Sequence, residues 1–249
     1  MLANWLLDRE SAPVAGLQER PQIWTPLHSF RYIEAQHALV KTHPKSQLPA
    51  ITISRQTGAG AVTIGHLAAK ILDDRSSGDL KVPWAVFEQN LAEKVLQEHN
   101  LPTSLERFMH EDATFPLNDA VDELLGLHPS SWTLMERTTQ TIRRLAMMGN
   151  VILVGRGSNI IAAHMPHVFH VRLVAPLKDR VRQVEQYYHL KPAEAAQRVR
   201  DMDEAKSRYV RRYFRADVAD PLNYHLTINT AYTGFQKAAQ TIANLVRTK

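Results

Sequence analysis

The stretch Ile51-Thr52-Ile53-Ser54-Arg55-Gln56-Thr57-Gly58-Ala59-Gly60-Ala61-Val62-Thr63-Ile64-Gly65 decides how the chain reads. Ile51 to Ile53 is a short apolar run rich in β-branched residues, the pattern of a buried strand. Gly58 and Gly60 then flank Ala59 and leave a backbone nearly bare of Cβ atoms. Thr63 opens a segment with apolar residues at Ile64, Leu67, Ala68, Ile71 and Leu72, which is helical spacing. Strand, small-residue turn and helix form the setting in which backbone N–H groups and a helix N-terminus hold a phosphate. The same turn also serves as a plain strand-to-helix connection. The stretch alone leaves both readings open.

The phosphate-loop pattern G-x-x-x-x-G-K-[ST] is met only in part. Arg55 stands at the first glycine, Ala61 at the lysine, and Thr63 fills the Ser/Thr place one residue late. The run nevertheless resembles the G-x-x-G-x-G-K-G-T loop of cytidylate and adenylate kinases. It is closer still to the divergent cytidylate kinase-like bacterial branch, whose Ser-Arg-x-x-Gly-x-Gly loop lacks the lysine. The resemblance runs from about residue 48 to about residue 248.

Composition bounds the partners. The 249 residues suffice for one large α/β domain with an excursion, or for two small ones. Forty-four per cent are apolar, and the formal charge of +5 suits polyanionic ligands, from nucleotides to nucleic acid, without choosing between them. With no cysteine, disulfides and thiolate chemistry are excluded; a reducing, cytoplasmic setting is expected. No apolar run approaches the roughly 20 residues of a membrane helix, so no membrane partner is expected. Met1–Leu7 has no basic start and no small-residue cleavage site, so no signal peptide is expected.

Residues 1–47 read as an extension before the first strand, with Trp5, Trp24, Pro13, Pro21 and Pro26 and a helical stretch from Phe30 to Val40. A docking arm or a homo-oligomer contact is the expected role. Val82-Pro83-Trp84-Ala85-Val86-Phe87 is a second strand candidate, followed by a helical pattern over Glu88–Leu96. Residues 101–130 are short helical pieces broken by Pro102, Pro116 and Pro129, with several acids. Such a piece is either a solvated insert or, as the resemblance implies for about 81–130, the excursion that closes over a phosphoryl acceptor.

Trp132, Met135, Thr139, Ile142 and Leu145 place a core helix over Ser131–Met148, with Arg143 and Arg144 off its apolar face and Gly149-Asn150 ending it. Val151-Ile152-Leu153-Val154 has no polar residue and reads as a buried parallel strand. Gly155-Arg156-Gly157-Ser158-Asn159 follows at once. Ligands of open α/β sheets bind beyond the carboxyl ends of strands, and an arginine there between glycines is placed for a phosphate or carboxylate. So placed, Arg156 is expected to carry no packing duty. The run resembles the [DE]-G-R-D segment of cytidylate kinases and the V-G-R-G-x-N form of the divergent branch.

His167–Val174 reads as a further strand, and Pro176-Leu177 starts a helix with Arg180 and Arg182. His164, His167 and His170 do not converge, since a spacing of three alternates faces on a strand and Pro166 interrupts it; no metal site is expected there. From Pro192 the chain is helical and basic, with Arg198, Arg200, Lys206, Arg208, Arg211, Arg212 and Arg215. A solvated helix with i,i+4 ion pairs and a nucleic-acid-binding helix over 198–215 are two readings. A third is the cationic lid of a phosphoryl-transfer enzyme. The family's Asp-x-x-[RK]-x-Arg-Tyr lid recurs as Asp203, Lys206, Arg208 and Tyr209, which favours the lid, about 190–219. Asp220-Pro221-Leu222-Asn223-Tyr224-His225-Leu226-Thr227-Ile228-Asn229-Thr230 resembles D-P-x-x-Y-D-L-x-I-N-T, with His225 at a frequent aspartate. Phe235–Val246 closes the chain as an amphipathic helix.

Strands alternating with helices imply a three-layer α/β/α fold on a parallel sheet. The resemblance implies a P-loop NMP-kinase-like domain over 48–249, with a helical acceptor-binding insert and a basic lid. It further implies phosphoryl transfer from ATP, with Mg²⁺, to a nucleoside monophosphate (CMP-like) or another small acceptor. Arg55, Thr57, Gly58, Ala59, Gly60, Ala61, Val62 and Thr63 would form the donor site, with Thr63 approaching Mg²⁺. Arg156, Lys206, Arg208 and Arg212 would hold acceptor phosphate or the transferring group. Ala61, Val154 and Gly157 depart from the active pattern, which lacks neither the lysine nor the two acids. Arg55 is a candidate substitute for the lysine. The alternatives are a nucleotide-binding regulator on the same fold and, from another class, a nucleic-acid-binding protein; no nucleic acid is expected.

Overall fold

The computed structural model describes residues 48–75, 82–88 and 131–246. The expected extension at 1–47 and most of the insert at 81–130, including the helix expected after Glu88, lie outside the described residues.

Five strands make one sheet: β1 (Ala50–Arg55), β2 (Ala85–Phe87), β3 (Val151–Val154), β4 (Val168–Val174) and β5 (Leu226–Asn229). Their order is β2-β3-β1-β4-β5, and every pairing is parallel. β1 is central. Ala50 to Ile53 pair with Val151 to Val154 on one side, and Ala50 to Arg55 with Val168 to Leu173 on the other. A strand paired on both edges and covered on both faces has no wet side, which is why Ile51, Ile53 and all of β3 are apolar. The chain leaves β1 towards β2 and β3, then crosses to β4 and β5 on the other side. β1 is therefore where the strand order reverses, and the crevice for a ligand opens beyond its carboxyl end.

Seven α-helices surround this sheet among the described residues. α1 (Ala61–Arg75) and α7 (Phe235–Leu245) pack on one face through Ile64, Ala68, Leu72, Ala238, Ile242 and Ala243 against Ile51, Ile53, Val171 and Leu173. α2 (Ser131–Met148) and the one-turn α3 (Ser158–Ile161) cover the other face, with Ile142, Leu145, Ala146 and Ala162 on Val151, Leu153 and Val168. α4 (Leu177–Tyr188) and α5 (Pro192–Phe214) form a hairpin with its own small core of Val184, Ala195 and Val199. α6 (Thr230–Thr233) links β5 to α7, its first turn capped by the Asn229 carboxamide oxygen, which accepts from Ala231 N.

Two details differ from the sequence reading. α1 begins at Ala61 rather than Thr63, because the Gly60 carbonyl already accepts from Ile64 N at 2.9 Å. Trp132, expected on the core face of α2, is 57% exposed. The first turns of α2 meet α5 instead of the sheet: Trp132 stands edge-on to Tyr213, and the Tyr209 hydroxyl donates to Met135 Sδ.

Candidate functional site

Parallel strands bring the segments after β1 and β3 to one edge of the sheet, and Gly155 N donates to the Ile53 carbonyl there at 2.9 Å. The two glycine loops therefore meet at one edge, as the sequence reading requires. Glu88, at the carboxyl end of β2, reaches the same edge and faces the Arg55 guanidinium at 4.0 Å. Arg55 is thus turned towards β2.

The glycines of the first loop are fixed by packing. Gly58 has φ +82°, and a Cβ there would lie 2.3 Å from the Arg180 carbonyl oxygen of α4. At Gly60 a Cβ would meet the Phe235 ring at 2.4 Å. The bare backbone read from the sequence as room for a ligand is, at these two Cβ positions, room for α4 and α7. The second loop behaves alike: a Cβ on Gly157 would lie 2.3 Å from the Phe214 ring, so the end of α5 rests on it.

The loop's polar partner also comes from α5. The Asp203 carboxylate accepts from Thr57 N at 2.7 Å through Oδ1 and from Arg180 Nη1 at 2.6 Å through Oδ2. Lys206, one turn on, donates from Nζ to Thr57 Oγ1 at 2.6 Å and lies 3.8 Å from Asp203 Oδ1. Arg180 also donates to the Thr57 and Ala175 carbonyls. Arg180 and Lys206 are 7% and 8% exposed, so water reaches the two cations little and meets the cluster through Asp203, whose side chain is 27% exposed. A backbone N–H, a guanidinium and an ammonium around one carboxylate form a cradle for an oxyanion.

Of the four cations grouped by the sequence reading, the structure brings one to the first loop. Lys206 reaches Thr57, the ammonium that Ala61 does not provide. Arg208 is two residues on, roughly 200° around the helix, and pairs with Glu204 in solvent. Such an exposed i,i+4 pair is worth about 0.3–0.5 kcal/mol. Arg212 is exposed, its guanidinium 5.7 Å from the centroid of the Tyr213 ring. Arg156 is 5% exposed and holds φ +53°. The expectation that it carries no packing duty is corrected: a side chain that buried is part of the interior. Thr63 lies in the first turn of α1, half-buried, with Val62, while Ala59 and Ala61 are buried.

Arg180 was legible in the sequence only as a helical arginine, because its partner lies 23 residues on in another helix. A second cluster went unread altogether. Arg172 of β4, 7% exposed, donates to Ser54 Oγ at 3.3 Å and to Tyr224 Oη at 3.4 Å, and Tyr224 in turn donates to the Val218 carbonyl. Two residues back on β4, His170 meets the Thr52 hydroxyl through Nδ1 at 2.8 Å, and its backbone N–H donates to His225 Nδ1 at 2.9 Å. That bond explains His225 where the family often has aspartate: the imidazole nitrogen supplies the acceptor.

Burial, and secondarily His225, pushes the His170 pKa down to about 4, and its Nε2 is buried without a hydrogen-bond partner. Protonation therefore favours the unfolded chain, whose histidine titrates near 6.5. The stability from keeping His170 neutral is complete above about pH 6.5 and is lost as pH falls to about 4, a span worth roughly 3 kcal/mol. Urea unfolding at pH 7.5 and 4.5 is expected to show this loss, and His170→Gln is expected to show a smaller one. An equal loss in both proteins would remove His170 as its source.

A five-stranded parallel sheet between two helical layers, with a glycine loop after its central strand and a basic helical hairpin over that loop, is the architecture of P-loop kinases. The model of the cytidylate kinase-like family matches residues 50–232, and the chain belongs to that family. Among solved structures, an uncharacterized protein from Eubacterium ventriosum is similar at 17% identity and TM-score 0.56, covering 81% of this chain and 99% of its own. That likeness concerns the fold. Shikimate kinase from Bacteroides thetaiotaomicron aligns at 12% identity and TM-score 0.47, over 80% of this chain and 98% of its own. Shikimate kinase from Acinetobacter baumannii aligns at 16% and 0.43, over 86% and 97%. No curated protein matches. No described helix is long and apolar enough to cross a membrane.

Proposed function

We propose that the protein binds ATP at the Gly58–Gly60 loop and transfers its terminal phosphoryl group to a nucleoside monophosphate, CMP-like in the first instance. The observation that carries this reading is the oxyanion cradle at Thr57, on a glycine loop at the strand-order reversal of a kinase-family fold. Its donors fit phosphate oxygens, since they already hold carboxylate oxygens. Amides of residues 57–63 and Lys206 would hold the donor phosphates, and Arg156 would hold acceptor phosphate from the second loop. Thr63 would give Mg²⁺ one hydroxyl, as fits an ion that takes few protein ligands and keeps phosphate oxygens and water. Bound Mg²⁺ would neutralise charge on the transferring group.

A phosphate acceptor suits the second loop better than an alcohol. A monophosphate is largely ionised near pH 7, its second pKa being about 6, and needs no base to remove a proton. Val154 and Gly157 supply none where the [DE]-G-R-D segment of cytidylate kinases carries acids. Catalysis by these residues is then positioning and charge neutralisation. Residues 1–47 would serve as an oligomer contact, and we assign the activity to the cytoplasm, the compartment that suits a cysteine-free chain.

The test is ADP formation from ATP and Mg²⁺ with each nucleoside monophosphate in turn. Turnover with at least one of them is expected. Nucleotide binding without turnover would favour the regulatory reading, for which the missing loop lysine and the carboxylate already on Thr57 both speak. No nucleotide binding at all would overturn both.

A further inference from the structure

The cradle at Thr57 holds an anion that belongs to the protein. We propose that Asp203 acts as an internal stand-in for phosphate, closing α5 onto the glycine loop until an incoming phosphate oxyanion displaces it. This rests on the reading of the loop as a phosphate site and adds how that site is controlled.

Three features carry the idea. First, the donor set is the kind that binds phosphate: a loop N–H at 2.7 Å and a guanidinium nitrogen at 2.6 Å, with an ammonium 3.8 Å away. Second, Asp203 is the most open member, its side chain 27% exposed against 9% for Arg180 and 10% for Lys206. The anion can be exchanged from solvent while Arg180, on α4, stays in place. Third, Asp203 and Lys206 sit one turn apart on α5, whose far end presses Phe214 onto Gly157 of the second loop. Releasing Asp203 therefore loosens α5 over both loops at once.

A site filled by its own carboxylate binds an outside anion with an affinity reduced by the fraction of time it stands open. Asp203→Asn keeps an oxygen for Thr57 N but removes the competing charge. Inorganic phosphate is the probe, with melting temperature as the readout and chloride at equal ionic strength as the control. Asp203→Asn is expected to melt lower than wild type in chloride and to regain stability in phosphate, with an apparent phosphate Kd about ten-fold tighter than wild type. Adding Arg180→Gln to it should abolish that gain. If the Asn variant does not fold, Asp203→Glu carries the test. Its longer side chain seats less well, so phosphate should bind about two- to three-fold tighter than to wild type.

A variant that melts lower yet responds to phosphate no better than wild type would overturn the proposal and make Asp203 a structural latch. This readout needs neither nucleotide nor turnover. A phosphate gain in a protein that binds no ATP would keep this inference and sink the kinase reading. ATP binding unaffected by Asp203→Asn would do the reverse.

Discussion

Lys206→Met is expected to weaken ATP binding by about ten- to a hundred-fold, the weight of a charge-assisted contact of roughly 1.5–3 kcal/mol. The lysine of the G-x-x-x-x-G-K-[ST] phosphate loop is Ala61 here, and the ammonium that touches the loop comes instead from α5, 149 residues from Thr57. Methionine keeps most of the buried stem, so the packing of α5 should survive while the charge is lost. Arg208→Met is the matched control. It removes an equal charge from the same helix but from the side turned to Glu204 and solvent, and should change affinity by less than about three-fold. Calorimetric titration of both variants decides the matter. Equal losses would mean that the helix acts through its overall charge, as a nucleic-acid-binding face would.

Arg156→Ala is expected to lower the melting temperature by roughly 4–12 °C, from a loss of about 2–3 kcal/mol at 2–4 °C each. The residue is 5% exposed, and its φ of +53° is already a strained position for any side chain but glycine. Alanine keeps that strain and removes the buried guanidinium with its contacts. Arg156→Lys should recover part of the loss by restoring a charge. A melting temperature unchanged in Arg156→Ala would mean that the side chain carries no packing duty and serves a ligand alone.

The fold was largely legible because it rests on short-range patterns. Val151–Val154 has no polar residue and Ile51–Ile53 only Thr52, since both faces of both strands are covered, and that is visible in each run by itself. The loops could be found for the same reason, as glycines immediately after apolar strands. Their purpose could not be read. Whether Gly58 makes room for a phosphate or for the Arg180 carbonyl depends on α4, more than 120 residues away. The same limit hid the Asp203–Arg180 pair and the Arg172–Ser54–Tyr224 cluster, whose members join only when β4 lies beside β1. Grouping Lys206, Arg208 and Arg212 by charge overlooked the helical turn: 3.6 residues per turn sends Arg208 to the opposite side from Lys206. Trp132 was misplaced because apolar periodicity shows which face of a helix is apolar and not what meets its ends.

The most direct test of a nucleotide phosphate site at the Gly58–Gly60 loop is a calorimetric titration of wild type and Lys206→Met with ATP, with and without Mg²⁺. The expected result is saturable binding to wild type, strengthened by Mg²⁺ and weakened about ten-fold or more in the variant. No heat of binding to wild type at millimolar ATP, or identical binding by both proteins, would contradict it.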